Sequence, residues 1–134
     1  MARVAVKVTS RPRYNMTASQ AMMNVRKNVA KAGLLVQNTA KTNIQQGQPR
    51  SGRLRKDGTR SSAVDEFPKS DTGNLANNIF LNFDADGLGV AVESRMEYSA
   101  WLEFGTEKMG KRPFLFPSLR MNRDKINALL RSVL

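Results

Sequence analysis

The sequence predicts an α+β domain in which a small antiparallel sheet is packed by a long N-terminal helix and a C-terminal helix, with a long basic loop between them. Three observations predict it. Val4, Val6 and Val8 alternate with Ala5 and Lys7. Met22, Val25, Val29, Ala32, Val36, Ala40 and Ile44 recur at spacings of three and four. Ile79, Leu81 and Phe83 alternate before Asp86-Gly87, and Leu88, Val90 and Val92 alternate after it. The first and third patterns have the strand period, and the second has the helix period. A chain of 134 residues fits a single domain, 1–134.

Each element follows from local chemistry. Residues 3–8 read as a strand at a sheet edge, ended by Arg11-Pro12-Arg13. Thr17 or Ser19 offers a hydroxyl to cap a helix running from about residue 17 to about residue 46. Its stripe is made of small residues that allow close packing. Arg26, Lys27, Lys31 and Lys41 lie off the stripe, and Gly33 marks a bend or a close approach. Gly47-Gln48-Pro49 ends the helix. Residues 47–70 have no period and few large apolar groups, so they read as a long loop, densely basic through Arg50, Arg53, Arg55, Lys56 and Arg60. A loop this long is usually functional or disordered.

Ser70 or Asp71 then caps a short helical turn. Asp86-Gly87 closes the hairpin, because glycine tolerates positive φ. Tyr98, Trp101 and Leu102 sit on one face of a short helix starting near Met96 and capped by Gly105. Arg112 precedes proline and is extended, which sends Phe114 and Phe116 to one side and Leu115 to the other. Pro117 suits the first position of a last helix carried by Leu119, Ile126, Leu129, Leu130 and Val133.

Composition narrows the function classes. With no cysteine and no histidine, the chain has no disulfide, no thiol nucleophile and no imidazole base. Ser51, Ser61 and Ser62 therefore have no histidine partner for a triad. Gly87-Leu88-Gly89 is too short to cradle a phosphate. Asp84 and Asp86 flank a turn, where aspartate is common for backbone reasons, and supply too few oxygens for a calcium site. Glu103 sits among apolar residues, where a lone glutamate could be catalytic or could pair with Arg112, and the pairing is favoured because a buried charge must find a partner. The expectation is a protein without enzymatic activity, metal or cofactor. No apolar run approaches the ~20 residues of a membrane span, and the N-terminus lacks the apolar core of a signal peptide. These features suggest a soluble intracellular product with no membrane partner.

The net charge of +11 is unevenly placed. Residues 1–56 hold twelve Lys/Arg and no acid, while residues 57–134 hold ten bases and all eleven acids. Such asymmetry suggests a polyanion or an acidic protein surface as partner. Nucleic-acid binding is one reading, because the basic half could neutralise phosphates. Tyr14 is the only aromatic residue in that half, however, so it has no platform for stacking single strands.

The segment Tyr98–Pro117 holds five of the nine aromatic residues and the only tryptophan. Within it run Tyr98, Trp101, Leu102-Glu103-Phe104-Gly105-Thr106, Met109, Arg112-Pro113-Phe114-Leu115 and Pro117. This pattern resembles the signature of the head–tail joining, or tail-completion, proteins of long-tailed bacteriophages, the group related to the lambda tail-completion protein Z. Upstream, Asp71-Thr72-Gly73-Asn74-Leu75 followed by Ile79 resembles that family's second motif, and Ser51-Gly52-Arg53 with the intervening loop resembles a longer-loop branch of it. The chain departs from that branch at Val64–Pro68, which lacks its Pro-Gly pair.

The resemblance spans roughly residues 15–134 and implies a non-enzymatic virion protein, assembled in the host cytoplasm. It implies a position in the neck, between the portal and head-completion (stopper) rings and the tail terminator or tail tube. It further implies a self-assembled ring matching the tail's six-fold symmetry, which needs a heterologous interface that closes. On this reading Trp101, Leu102 and Phe104 fix the short helix on the sheet, and Arg112 and Phe114 set the extended segment near a subunit contact. The basic residues touch channel DNA transiently or grip acidic patches on neighbouring rings. The second is favoured, because tight DNA binding would obstruct ejection and complementary charge gives docking specificity. The alternative function is a basic nucleic-acid-binding protein involved in DNA packaging.

Overall fold

The computed structural model describes residues 4–10, 19–46, 51–52, 54, 56, 60, 62–68, 73–108 and 110–132. The described residues form a three-stranded antiparallel sheet and five helices. Strand β1 is Val4–Thr9, and helix α1 is Ser19–Gln46. Helix α2 (Asn74–Asn77) leads into the hairpin of β2 (Ile79–Phe83) and β3 (Gly89–Ser94). Helices α3 (Ser99–Phe104), α4 (Leu115–Met121) and α5 (Arg123–Arg131) follow. Strand order is β1-β3-β2, so β1 and β2 are both edges. Val6 and Leu81 flank Val92 in register.

One face of the sheet carries α1. Val25, Val29, Ala32, Val36, Ala40 and Ile44 are all buried, and Met22 at the head of the stripe is half-buried. They meet Val4, Val6 and Val8 of β1, Ile79 of β2, and Val90 and Val92 of β3 in one core. Phe114, Leu115 and Ile126 close that core from the C-terminal side. Arg26, Lys27 and Lys31 face outward, as expected of residues off the stripe. Polar clamps border the apolar seam. Gln37 donates Nε2–H to the Ile79 carbonyl at 2.8 Å, and Asn28 donates Nδ2–H to the Leu129 carbonyl at 2.8 Å.

Gly33 is a close approach. A Cβ there would lie 2.9 Å and 3.1 Å from the two γ-carbons of Val90. Val90 is fully buried and β-branched, so it has no spare rotamer to retreat into. Alanine at a helix interior is worth ~1 kcal/mol over glycine, but overpacking a core costs ~1–3 kcal/mol. Gly33→Ala is therefore expected to lose about 1 kcal/mol of stability, read as a lower midpoint in urea unfolding. An unchanged or raised midpoint would mean that the α1–β3 seam is looser than the packing shows.

Several local expectations change. Ser19 is the first residue of α1 rather than its cap, and Thr17 lies outside the described residues. Ser70 and Asp71 also lie outside them, and α2 is entered through Gly73, whose φ of +83° is left-handed. Leu88 lies in the turn rather than in β3. Gly87 has φ +73°, and the Asp86 side chain accepts from the Leu88 N–H at 2.9 Å. Asp84 pairs with Lys7 at 3.0 Å. Helix α3 starts at Ser99, not near Met96. Gly105 takes φ +78° with ψ 177°, a region open essentially to glycine alone and distinct from the left-handed cap.

The expected single last helix is two. Buried Asn122 sits between α4 and α5 with φ −101° and ψ 6°. Its side-chain amide donates to the Ser118 carbonyl and to Thr39 Oγ1 of α1, both at 2.8 Å. Its own carbonyl accepts the Ile126 N–H at 2.9 Å. One residue thus ends α4, starts α5 and hooks the junction to α1.

Candidate functional site

The aromatic segment is organised by Glu103. Its side chain is buried, and its two oxygens accept three backbone N–H groups. Oε2 takes Phe114 N–H at 2.8 Å, and Oε1 takes Leu115 N–H at 3.1 Å and Phe116 N–H at 2.7 Å. Phe114 is the N-cap of α4, and Leu115 and Phe116 are its first two residues. The first four N–H groups of a helix have no intrahelical acceptor. The fourth position here is Pro117, which has no N–H. Glu103 and Pro117 together leave no orphan donor at this helix start. A carboxylate also suits the positive end of the helix dipole.

Glu103 therefore does not pair with Arg112. Three aligned N–H donors satisfy the buried carboxylate without bringing in a second charge that would also have to be desolvated. Arg112 instead donates Nε–H to the Ser62 carbonyl at 3.1 Å. Its backbone N–H bonds the Leu102 carbonyl at 2.6 Å, which closes the loop between the Glu-Phe-Gly-Thr and Arg-Pro-Phe blocks. Thr106 Oγ1 accepts the Lys108 N–H at 3.3 Å inside that loop. Pro117 stands at the third helical position rather than the first.

The Glu103 lock fixes the rotation of α3. Ser99 and Glu103 are buried and Leu102 is half-buried. Ser99 and Ser94 share a buried hydroxyl–hydroxyl hydrogen bond. Trp101 and Phe104 are consequently turned outward, 57% and 75% exposed. The expectation that they fix α3 on the sheet is corrected, since Leu102 and half-buried Tyr98 do that. Burial pushes the Tyr98 phenol above its ordinary range. The alternation expected of residues 114–116 is also corrected. Phe114 and Leu115 are both fully buried, and Phe116 is 56% exposed, because the chain is already turning into α4.

The end of the basic loop docks on this segment. Asp65 N–H bonds the Lys111 carbonyl at 2.8 Å, and a Cβ on Gly110 would overlap Val64. Glu66 gathers the loop by accepting Ser51 N–H at 3.1 Å, Ser51 O–H at 2.8 Å and Ala63 N–H at 2.6 Å. Leu54 and Arg60 form an antiparallel bridge. Lys56 and Arg60 are exposed, while Arg50, Arg53, Arg55, Thr72 and Met109 lie outside the described residues. In the second motif, Leu75 is buried and Gly73 supplies the positive φ.

The structure thus brings Tyr98, Leu102, Glu103, Gly105, Arg112, Pro113, Phe114 and Pro117 into one interlocked unit, and it leaves Trp101 and Phe104 on the surface. No protein-family model, curated protein or solved structure matches the chain. Sequence reading missed Phe116, Arg120 and Arg123 as surface groups. Phe116 and Arg120 lie four apart, with the guanidinium 5.4 Å from the ring centre. The signal was an aromatic–basic face on the last helices, where only the apolar spacing was followed. Among the described residues no cluster of three or more acidic side chains could hold a metal ion, and no helix is long and apolar enough to cross a membrane.

Proposed function

We propose that the chain is a structural protein of the phage neck, which completes the tail end and helps join tail to head as a subunit of a ring. The observation that carries this reading is the outward display of Trp101 and Phe104 on a segment whose interior is locked by Glu103. Single exposed apolar residues are ordinary, but a rigidly held tryptophan–phenylalanine pair is the composition of an interface anchor. The Glu-Phe-Gly-Thr and Arg-Pro-Phe blocks that resemble the tail-completion family are the parts that build this display. A ring subunit needs two unlike surfaces that fit each other. The α3 face supplies one, and the basic residues of the N-terminal half supply charge for docking on neighbouring rings. The chemistry of this reading is positional and involves no bond-making step.

The test is electron microscopy of lysates from the phage whose genome encodes the chain, with the gene disabled. DNA-filled heads beside separate full-length tails are the expected products. Normally joined particles would contradict the neck reading, and empty heads would favour a DNA-packaging role.

A further inference from the structure

Among the described residues, strand β1 has an open edge. It pairs with β3 on one side, and among the described residues no strand or backbone group pairs with it on the other. In an antiparallel pair every second residue turns its N–H and C=O away from the partner strand, so this edge presents unused donors and acceptors. Two hollows lie beside it and together touch every residue of the strand. One stretch, of about 450 Å³, follows Val4, Ala5 and Val6 and is walled by Phe104, Pro113 and Phe116. The other, of about 300 Å³, follows Lys7, Val8 and Thr9 and is walled by Leu119, Ile126 and Leu130. Phe116 and Arg120 line both stretches, which are therefore neighbours.

The charge in this groove is predominantly basic. Its basic residues are Lys7, Lys111, Arg120 and Arg123, and its only carboxylate is Glu103, whose oxygens are already taken by three N–H groups. Lys7 is paired with Asp84 and Lys111 with Asp65. Arg120 and Arg123 have no carboxylate partner among the described residues. An apolar trough beside an unpaired strand edge, with two uncompensated guanidiniums on its wall, fits one kind of occupant.

We propose that the β1 edge binds an extended acidic segment of a partner protein, which adds to the sheet as a fourth strand. Its backbone bonds the free edge of Val4–Thr9. One row of its side chains fills the trough against Phe104, Phe116 and Leu130, and its carboxylates face Arg120 and Arg123. Strand addition of this kind takes affinity from main-chain bonds and specificity from alternate side chains. The proposal rests on the edge and groove and does not require the neck reading.

The test uses the purified full chain and a synthetic peptide of alternating glutamate and valine, about eight residues long so as to span one strand. A peptide with lysine in place of glutamate is the control. The glutamate peptide is expected to bind saturably by fluorescence anisotropy and to slow hydrogen exchange at the β1 amides, while the lysine peptide does neither. Arg120→Glu and Arg123→Glu are on exposed helix positions and should keep the thermal midpoint while weakening binding about tenfold or more. The proposal is overturned by absence of binding, by binding that leaves the β1 amides unchanged, or by indifference to the arginine reversals. It is equally overturned if β1 is protected only by self-association that grows with protein concentration. All of these results are obtained without phage, so they leave the neck reading to its own test.

Discussion

Glu103→Ala is expected to destabilise the protein by about 3 kcal/mol, because it strands buried N–H groups that each cost ~1–3 kcal/mol when unpaired and partly regain water in the cavity left behind. For a domain of this size the loss lowers the melting temperature by on the order of 10 °C. Glu103→Gln keeps the shape but presents one carbonyl oxygen and an NH2 group to three donors, so it should lose roughly half as much. Thermal unfolding followed by circular dichroism reads both values. Hydrogen exchange reads the cause: the Phe114, Leu115 and Phe116 amides should lose protection before the β3 amides do. Exposed Glu107 is the control, and its glutamine variant should be near neutral. If Glu103→Ala melted like the parent, the carboxylate would not be what holds α4 to α3.

The second large effect follows from the proposed ring interface and falls on assembly rather than stability. Trp101→Ser with Phe104→Ser removes two exposed side chains from α3, so folding stability should move by no more than about 0.5 kcal/mol per site. If the pair anchors the proposed interface, each side chain is worth ~2–4 kcal/mol on truncation. The double variant should therefore fail to restore joined particles to the gene-disabled phage, with infectious titre down by about a hundredfold or more. The same protein should remain folded and at least as soluble. Full complementation would remove the α3 face from the interface. Failure accompanied by unfolding would mean that the pair serves the core after all.

The contrast between these variants follows from what was legible in the sequence. The α1 stripe, the β1 alternation and the β2–β3 hairpin were readable because side-chain periodicity reports directly which face is buried. Gly33 was readable because a glycine inside a strong helical pattern needs a packing reason, and Val90 supplies it. Glu103 was singled out, but its partners were not, because they are backbone N–H groups that side-chain pairing cannot reveal. Missing them reversed the facing of α3: a helix that must aim a carboxylate inward has to turn Trp101 and Phe104 out. The division at Asn122 was hidden for a similar reason. Leu119 and Ile126 are seven apart, as in one continuous helix, and the break lies in the Asn122 backbone and its amide bonds to Ser118 and Thr39.

The motif blocks then have a physical sense. Glu103 and Pro117 complete the start of α4, Gly105 supplies a backbone conformation other residues resist, and Arg112 ties the turn to the preceding loop. What the unit offers outward is shape: Trp101 and Phe104 on α3, and the basic trough along β1.

The most direct measurement is a cryo-electron microscopy reconstruction of the neck of the intact phage particle. This chain should appear as a closed ring between the head-completion proteins and the tail tube, with Trp101 and Phe104 buried against a neighbouring subunit. A particle whose neck contains no density for this fold, or a ring in which the α3 face points into solvent, would contradict the proposed function.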